Sequence, residues 1–376
     1  MAGIYLHVPF CKRRCIYCDF FSTTQIERKT AYIHAVCSEL EMRKEYLGGE
    51  TIETIYWGGG TPSQLDKEDF ETIFYYLHKN YSISSHPEIT LEANPDDLTP
   101  DYIAMLRTLP FNRLSMGIQT FNESILKVLQ RRHTARQAIE AFQNCRAAGF
   151  QNISIDLMYG LPGETLSTWQ QDLDQALLLH PEHLSAYHLI YEEDTVLWKL
   201  REQHKVEEAD EDLSVSLFST LIDRLTSEGY DHYEISNFSL PGLYSRHNSS
   251  YWTEKKYLGC GPSAHSYNGV SRQWNVASLD TYIKGISAGT PVFEIEELDL
   301  YTRYNDFVIT RIRTEWGMPL SKLRDEFGEK LYDYCLRMAA PHLKQGTLEL
   351  VNDILKLTRK GIFISDGIMS DMLWTD

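Results

Sequence analysis

The stretch HVPFCKRRCIYCDF, residues 7–20, sets a strand directly against three cysteines spaced Cys11-x-x-x-Cys15-x-x-Cys18. Just upstream, IYLHV (residues 4–8) is an apolar and aromatic run closed by Pro9, the pattern of a buried strand. Reading outward, five more such runs follow: TIYWGG (54–59), ITLEAN (89–94), RLSMGI (113–118), ISIDLM (153–158) and LSAYHLI (184–190). Amphipathic stretches separate them. The clearest follows Thr134, which caps a helix that Gln137 completes as a capping box and Gly149 stops. Strands alternating with helices specify βαβ units and a parallel sheet. About six units predict an α/β fold, a (β/α)6 partial barrel, with function gathered at the carboxyl ends of the strands. Polar or glycine-rich groups do stand there. Cys11 to Cys18 follow the first run and Gly58-Gly59-Gly60-Thr61 the second; Glu92 and Asn94 lie at the third, Gln119 at the fourth and Asp156 at the fifth.

From about Leu300 the pattern changes. YTRYNDFVITRIRT (301–314), LSKLRDEFG (320–328) and KLYDYCLRMAAPHL (330–343) read as three helices. LELVND (348–353) and ILKLT (354–358) read as a hairpin, and ISDGIMSDML (364–373) as a last short helix. Helices with a two-stranded wing predict a winged-helix-like α+β domain. The expected division is a partial barrel over 1–240, a linking segment over 241–299 and the winged-helix-like domain over 300–376. Such domains often bind DNA, but this one mixes acids with its bases and has no basic cluster.

Composition narrows the function. The 376 residues, 43% hydrophobic and 24% charged, suit a globular protein with one large core and a smaller domain. A net charge of -17 argues against a nucleic-acid backbone or an anionic membrane as the main partner. No signal peptide or bilayer-spanning run is evident, so the expected compartment is the cytoplasm, where disulfides are rare. Seven cysteines, an odd number, fit a disulfide framework poorly. Cys37, Cys145 and Cys335 fall on apolar helical stripes and read as core residues. Cys260, in a glycine-rich loop, is less settled.

A short loop of this spacing can wrap three thiolates around one face of a [4Fe–4S] cubane, leaving one iron without a protein ligand. Lys12, Arg13 and Arg14 are read as positive charge favouring the thiolates. A zinc site of three cysteines with His7 is the alternative at this point. YWGGGTPSQL (56–65) follows one βα unit later, its glycines permitting close backbone approach to a ligand. On the same rim, Glu92 and Asp156 can accept ribose hydroxyls and Arg131 can pair with a carboxylate. Taken singly, each is better read as a solvated or capping residue; jointly, on one rim, they make a site.

HVPFCKRRCIYCDF, YWGGGTPSQL, GIQTFN (117–122) and DLMYGLPGET (156–165) together resemble, in order, the motifs of radical SAM proteins, specifically the oxygen-independent coproporphyrinogen oxidase group. The likeness covers nearly the whole chain. It implies that the open iron chelates S-adenosylmethionine (SAM), which one electron cleaves to a 5′-deoxyadenosyl radical. It also implies SAM contacts from Tyr5, Tyr17, Gly59, Gly60, Thr61, Glu92, Gln119, Arg131 and Asp156. Two departures stand out. The oxidases carry a further cysteine two residues after the third, where this chain has Phe20, and an N-terminal extension, where only ten residues precede Cys11. In both respects the chain is similar to the haem chaperone family HemW.

SRHNSSYW (245–252) supports that likeness, because His247, Asn248, Tyr251 and Trp252 match the HNxxYW pattern associated with haem in that family. Imidazole is a standard axial ligand of haem iron, and aromatic rings pack on a porphyrin face. A structural His–Asn turn with Tyr251 and Trp252 in the core is the other reading. YLGCGPSAHSYN (257–268) offers Cys260 and His265 as further candidate ligands. The resemblance therefore implies a protein that binds haem as cargo and delivers it to haem-accepting proteins. The alternative is a coproporphyrinogen III dehydrogenase that decarboxylates two propionates to vinyls, so the residues leave open whether the chain is an enzyme.

Overall fold

The computed structural model describes residues 1–375. Six strands and their helices alternate as read: β1 (Ala2–Val8), α1 (Lys29–Met42), β2 (Ile52–Gly59), α2 (Lys67–Asn80), β3 (Ile83–Ala93), α3 (Pro100–Leu106), β4 (Arg113–Gln119), α4 (Glu123–Val128), α5 (Ala135–Ala147), β5 (Ile153–Tyr159), α6 (Leu166–Leu178) and β6 (His183–His188). The strands lie in the order β1 to β6, all parallel. Side-chain alternation assigns their two faces. Ile4, Leu6, Trp57, Leu91, Leu114, Ile155 and Leu184 enter the main hydrophobic core. The alternate positions are polar and meet one another: Tyr56 Oη donates to Glu92 Oε1 at 2.8 Å, Ser115 Oγ to Asp156 at 3.1 Å, and Ser154 Oγ meets His183 Nδ1 at 2.8 Å. α5 carries the expected capping box of Thr134 and Gln137, and Gly149 follows it at φ 96°.

The strands do not close on themselves. Past β6 come α7 (Val196–Glu202), α8 (Glu211–Ser227), β7 (Asp231–Glu234) and β8 (Asn237–Ser239), with β8 antiparallel to β6. On the other side β9 (Tyr257–Cys260) pairs parallel with β1. The expectation of a linking segment over 241–299 is thereby corrected. This stretch holds α9 (Arg246–Trp252), β9, β10 (His265–Tyr267), β11 (Ser271–Asn275), α10 (Leu279–Ser287) and β12 (Phe293–Glu297), and it extends the sheet to twelve strands. These strands have three to five residues and polar alternate positions, so they offer no long apolar run to read. A buried carboxylate docks the addition. Glu39 on α1 accepts from Tyr282 Oη at 2.6 Å, Asn275 Nδ2 at 2.7 Å, Gly261 N–H at 2.9 Å and Arg43 at 3.2 Å.

The C-terminal part has its own apolar core, from Tyr304 to Met372. It contains α11 (Leu300–Ile312), β13 (Met318–Pro319), α12 (Leu320–Gln345), β14 (Leu348–Val351), β15 (Ile354–Leu357), α13 (Arg359–Ile362) and α14 (Ser365–Met372). The three short strands form one sheet, as a winged-helix-like unit requires. The break read between the second and third helices is Gly328, whose φ of 79° interrupts α12. No helix among the described residues is long and apolar enough to cross a membrane.

Candidate functional site

The cysteine loop leaves the sheet at Pro9 and is tied back at its base: Cys11 N–H donates to Thr23 O at 2.9 Å and Thr23 N–H to Pro9 O at 2.7 Å. Phe10 is buried against Tyr32, and Ile16 enters an apolar cluster with Ile125, Leu129 and Leu161. With both flanks buried, the loop has little choice but to present its thiols outward. Cys11, Cys15 and Cys18 are half-buried and free, while Cys37, Cys145, Cys260 and Cys335 are buried. Burial raises the Cys11 thiol and pushes Cys18 up to about 11.

Two of the adjacent bases, Lys12 and Arg13, are engaged elsewhere. Lys12 pairs with Asp97 at 2.7 Å, and Arg13 donates to Gln130 at 2.7 Å. The cation at the thiols is Arg131, whose Nη1 lies 3.4 Å from Cys15 Sγ. His7 is also unavailable to a zinc site: Nε2 donates to Phe21 O at 2.9 Å and Nδ1 faces Tyr5 Oη at 3.2 Å. Among the described residues no three His, Cys, Asp or Glu side chains gather closely enough for one ion. The three thiols are close enough to raise one another's pKa, and a cubane takes each sulfur on a different iron.

Asp97 was not singled out in the sequence. Its buried carboxylate accepts from Lys12 at 2.7 Å, Gln64 at 2.6 Å, and Ser63 and Arg132 at 2.9 Å. These donors hold the carboxyl below its usual range despite burial. One acid thus ties the cysteine loop to the loops after β2 and α4. The available signal was the run of acids Asp96-Asp97 beyond β3.

The other rim candidates converge on the polar face. Thr61 Oγ1 is 3.3 Å from Cys11 Sγ. Gly59 has φ 106°, and a Cβ there would meet His7 at 2.7 Å; a Cβ on Gly60 would meet Pro9 at 2.7 Å. The glycines are therefore required by protein contacts in their own right. Glu92 has its carboxyl pushed up to about 7 by burial, against the hydrogen bond from Tyr56. Asp156 is raised by burial and hydrogen-bonded by Ser185 and Ser115. Tyr5 stacks on Tyr56 with centroids 6.2 Å apart. Gln119 sits at a register shift in β4 with φ 72°, a strained conformation for a non-glycine residue. Arg131 donates to Tyr17 Oη at 3.3 Å, Asn94 Oδ1 at 2.8 Å and Gly117 O, which leaves only Nε unpartnered. It is a brace between the cysteine loop, β3 and β4. Deeper on this face, Arg113 is 1% exposed and its side-chain nitrogens have no hydrogen-bond partner.

The HNSSYW segment forms α9, capped by Ser245, with the His247 N–H held by Glu88 at 2.9 Å. His247 is 1% exposed. Its Nδ1 meets Thr54 Oγ1 and its Nε2 meets Tyr251 Oη, both at 2.8 Å, and its ring stacks on Tyr56 at 5.0 Å. Burial lowers its pKa to about 3, so the imidazole is neutral. A Cβ at Gly3 would already lie 3.2 Å from this ring. In this structure both His247 nitrogens are engaged by side chains, and the ring stands behind the cavity wall. Tyr251 and Trp252 do line a cavity of about 1070 Å³, together with Phe20 and His265. Cys260 is fully buried in the core and does not reach it.

Residues 5–176 match the radical SAM superfamily, and residues 298–364 match the HemN C-terminal domain. The parallel strands ending on a three-cysteine loop are the radical SAM class, which implies a [4Fe–4S] cluster and SAM. The Heme chaperone HemW of Mycobacterium tuberculosis is 33% identical over 376 residues, 99% of this chain and 94% of that protein. That of Bacillus subtilis is 30% identical over 376 residues, 99% of both. The chain belongs to the HemW family. The solved structure of Escherichia coli coproporphyrinogen III oxidase, HemN, a radical SAM enzyme, superposes with a TM-score of 0.86 at 23% identity, over 99% of this chain and 89% of that one, and shares the fold.

Proposed function

We propose that this protein is a haem chaperone, which binds haem and hands it to haem-requiring proteins. The supporting observation is that Tyr251 and Trp252 line a cavity that also touches Tyr5 and Phe20–Phe21, beside the cysteine loop. Its volume, about 1070 Å³, is just above the range of about 300–1,000 Å³ usual for small-molecule and cofactor sites. Phe20, exposed there, stands where the oxidases carry a cysteine. In this reading Cys11, Cys15 and Cys18 ligate a [4Fe–4S] cluster, which when bound supplies an electron and an open iron for the amino and carboxylate groups of SAM. Glu92 and Asp156 accept hydroxyl hydrogen bonds, Gly59, Gly60 and Thr61 leave room beside Cys11, and Gln119 and Arg131 close the rim. Tyr5 and Tyr17 wall the site. His247 positions Tyr251, and Trp252 offers a porphyrin face. We place the protein in the cytoplasm, which keeps thiols reduced.

The test uses the anaerobically reconstituted, reduced, SAM-loaded protein. It is expected to bind haem with a Soret band distinct from free haem, to transfer it to a haem-free acceptor enzyme, and to leave coproporphyrinogen III unconverted. Turnover of coproporphyrinogen III at ordinary enzymatic rates would overturn the reading in favour of a dehydrogenase.

A further inference from the structure

Haem is a flat apolar ring with two carboxylates on one edge. A site for it needs an aromatic wall and cations that nothing else neutralises. The whole chain carries -17, so its general field repels such a dianion and local charge must compensate. The cavity is lined by the cations Lys255, Arg272, Arg303 and Lys322 and by the acids Asp19, Glu254, Asp306 and Glu326. Most of these cancel. Arg272 pairs with Asp306, and Lys322 with Glu254 at 2.6 Å and Glu326 at 3.5 Å. Glu254 also takes Arg311 at 3.0 Å. Among the residues that line the cavity, Arg303 and Lys255 have no acid within ion-pair distance, and Asp19 is the one unpaired acid.

Arg303 is the more informative of the two. It is half-buried on α11, and its guanidinium lies over the Phe327 ring, 5.8 Å from the centroid. A charge partly withdrawn from water without a counter-ion costs free energy that an incoming carboxylate recovers, and the planar fork of arginine matches a carboxylate bidentately. Lys255, exposed just after α9, is a second cation on a flexible stem.

We propose that Arg303 and Lys255 are the carboxylate-binding edge of this cavity and receive the two propionates of haem, which makes the C-terminal domain part of the haem site. This rests on the haem-chaperone reading. Arg303 belongs to the C-terminal core's first helix, whereas Tyr251 and Trp252 belong to the segment joined to the sheet. Bound haem would therefore bridge the two.

The experiment titrates the full-length, reconstituted protein with haem and, separately, with haem dimethyl ester, whose propionates carry no charge. Wild-type protein is expected to bind haem at least tenfold more tightly than the ester. Arg303→Gln should weaken haem binding about tenfold or more, as loss of a charge-assisted contact does, and Lys255→Gln somewhat less. Neither should change affinity for the ester, and the double variant should lose the preference. Arg324→Gln, on α12 outside the cavity lining, controls for net charge, and unchanged melting temperatures control for folding. If wild-type protein binds ester and haem equally, or both variants bind haem as wild type does, the propionate assignment fails while the haem reading stands. If wild-type protein binds neither, the haem reading itself has failed.

Discussion

At the strand ends, Asp97 alone gathers Lys12, Ser63, Gln64 and Arg132, and Arg131 is bound on three sides. Across the cavity, Arg303 and Lys255 meet no acid among the described residues. The first region is braced before any cofactor arrives, because Asp97 and most of the Arg131 guanidinium are engaged by protein. The second keeps charge in reserve. A cubane must be held at fixed positions by three thiolates, so its loop benefits from bracing. A cargo that has to be released is better held by contacts that form only when it is present.

The largest effect should break the first region outright. Replacing Cys11, Cys15 or Cys18 with Ala should abolish iron incorporation after anaerobic reconstitution, from about four irons per chain to none. Ala at Cys37 or Cys145, both buried in the core, should keep the iron. Stoichiometric zinc with no iron uptake would reverse the assignment.

Asp97→Ala tests whether the bracing matters. Removing one partner of a buried, hydrogen-bonded charge costs about 3–5 kcal/mol. Lys12 is largely exposed and Arg132 retains Asp96 at 3.1 Å, so about 2–4 kcal/mol is expected here. Cluster retention should fall with it, read as iron lost on gel filtration. The sign with pH follows from the lowered carboxyl: its contribution is full above the ordinary carboxylate range and is lost as pH falls through the folded value. Thermal melts well below pH 3.8 should therefore separate wild type from Asp97→Ala less than melts at pH 7. An unchanged gap would mean that Asp97 does not act as an ionised hub.

The two regions also differ in how far they could be read in advance. The rim was legible because each of its groups stands in or just after a strand, in chain order, and parallel strands bring their carboxyl ends together. Gly59, Glu92, Gln119 and Asp156 all reach the polar face for that reason. What failed there was side-chain direction: Lys12 and Arg13 are adjacent to the cysteines in sequence but point elsewhere, while Arg131, far along the chain, is the cation at Cys15. Asp97 was missed because its partners come from three separate loops. The cavity is assembled from residues 5–7, 19–21, 251–272 and 303–327, with β9 and β10 too short to show periodicity, so no local pattern announced it. HNSSYW was noticed only through resemblance, and only the structure divides it into a buried histidine and a cavity-facing pair.

That division yields the smallest and sharpest expected effect. Thr54, His247 and Tyr251 form a chain of two hydrogen bonds, each 2.8 Å, running from β2 to the cavity wall. A neutral imidazole gives one donor and one acceptor, and two hydroxyls can satisfy either tautomer. Tyr251→Phe deletes a single oxygen and leaves His247 Nε2 buried without a partner. A loss of about 1–3 kcal/mol in stability is expected, with the phenyl ring still present as wall. His247→Ala should cost more, because a cavity opens behind Tyr251. If His247 only positions Tyr251, both variants should weaken haem binding modestly and leave the iron's spin state as in wild type, by EPR and by the Soret and visible bands. His265→Ala, at the cavity surface, then becomes the variant to change the spectrum. If His247→Ala alone converts the spin state while Tyr251→Phe does not, the imidazole must swing out to the iron on binding. The cavity would then be rebuilt by its cargo, and the contrast with the braced rim would be wider than the two hydrogen bonds suggest.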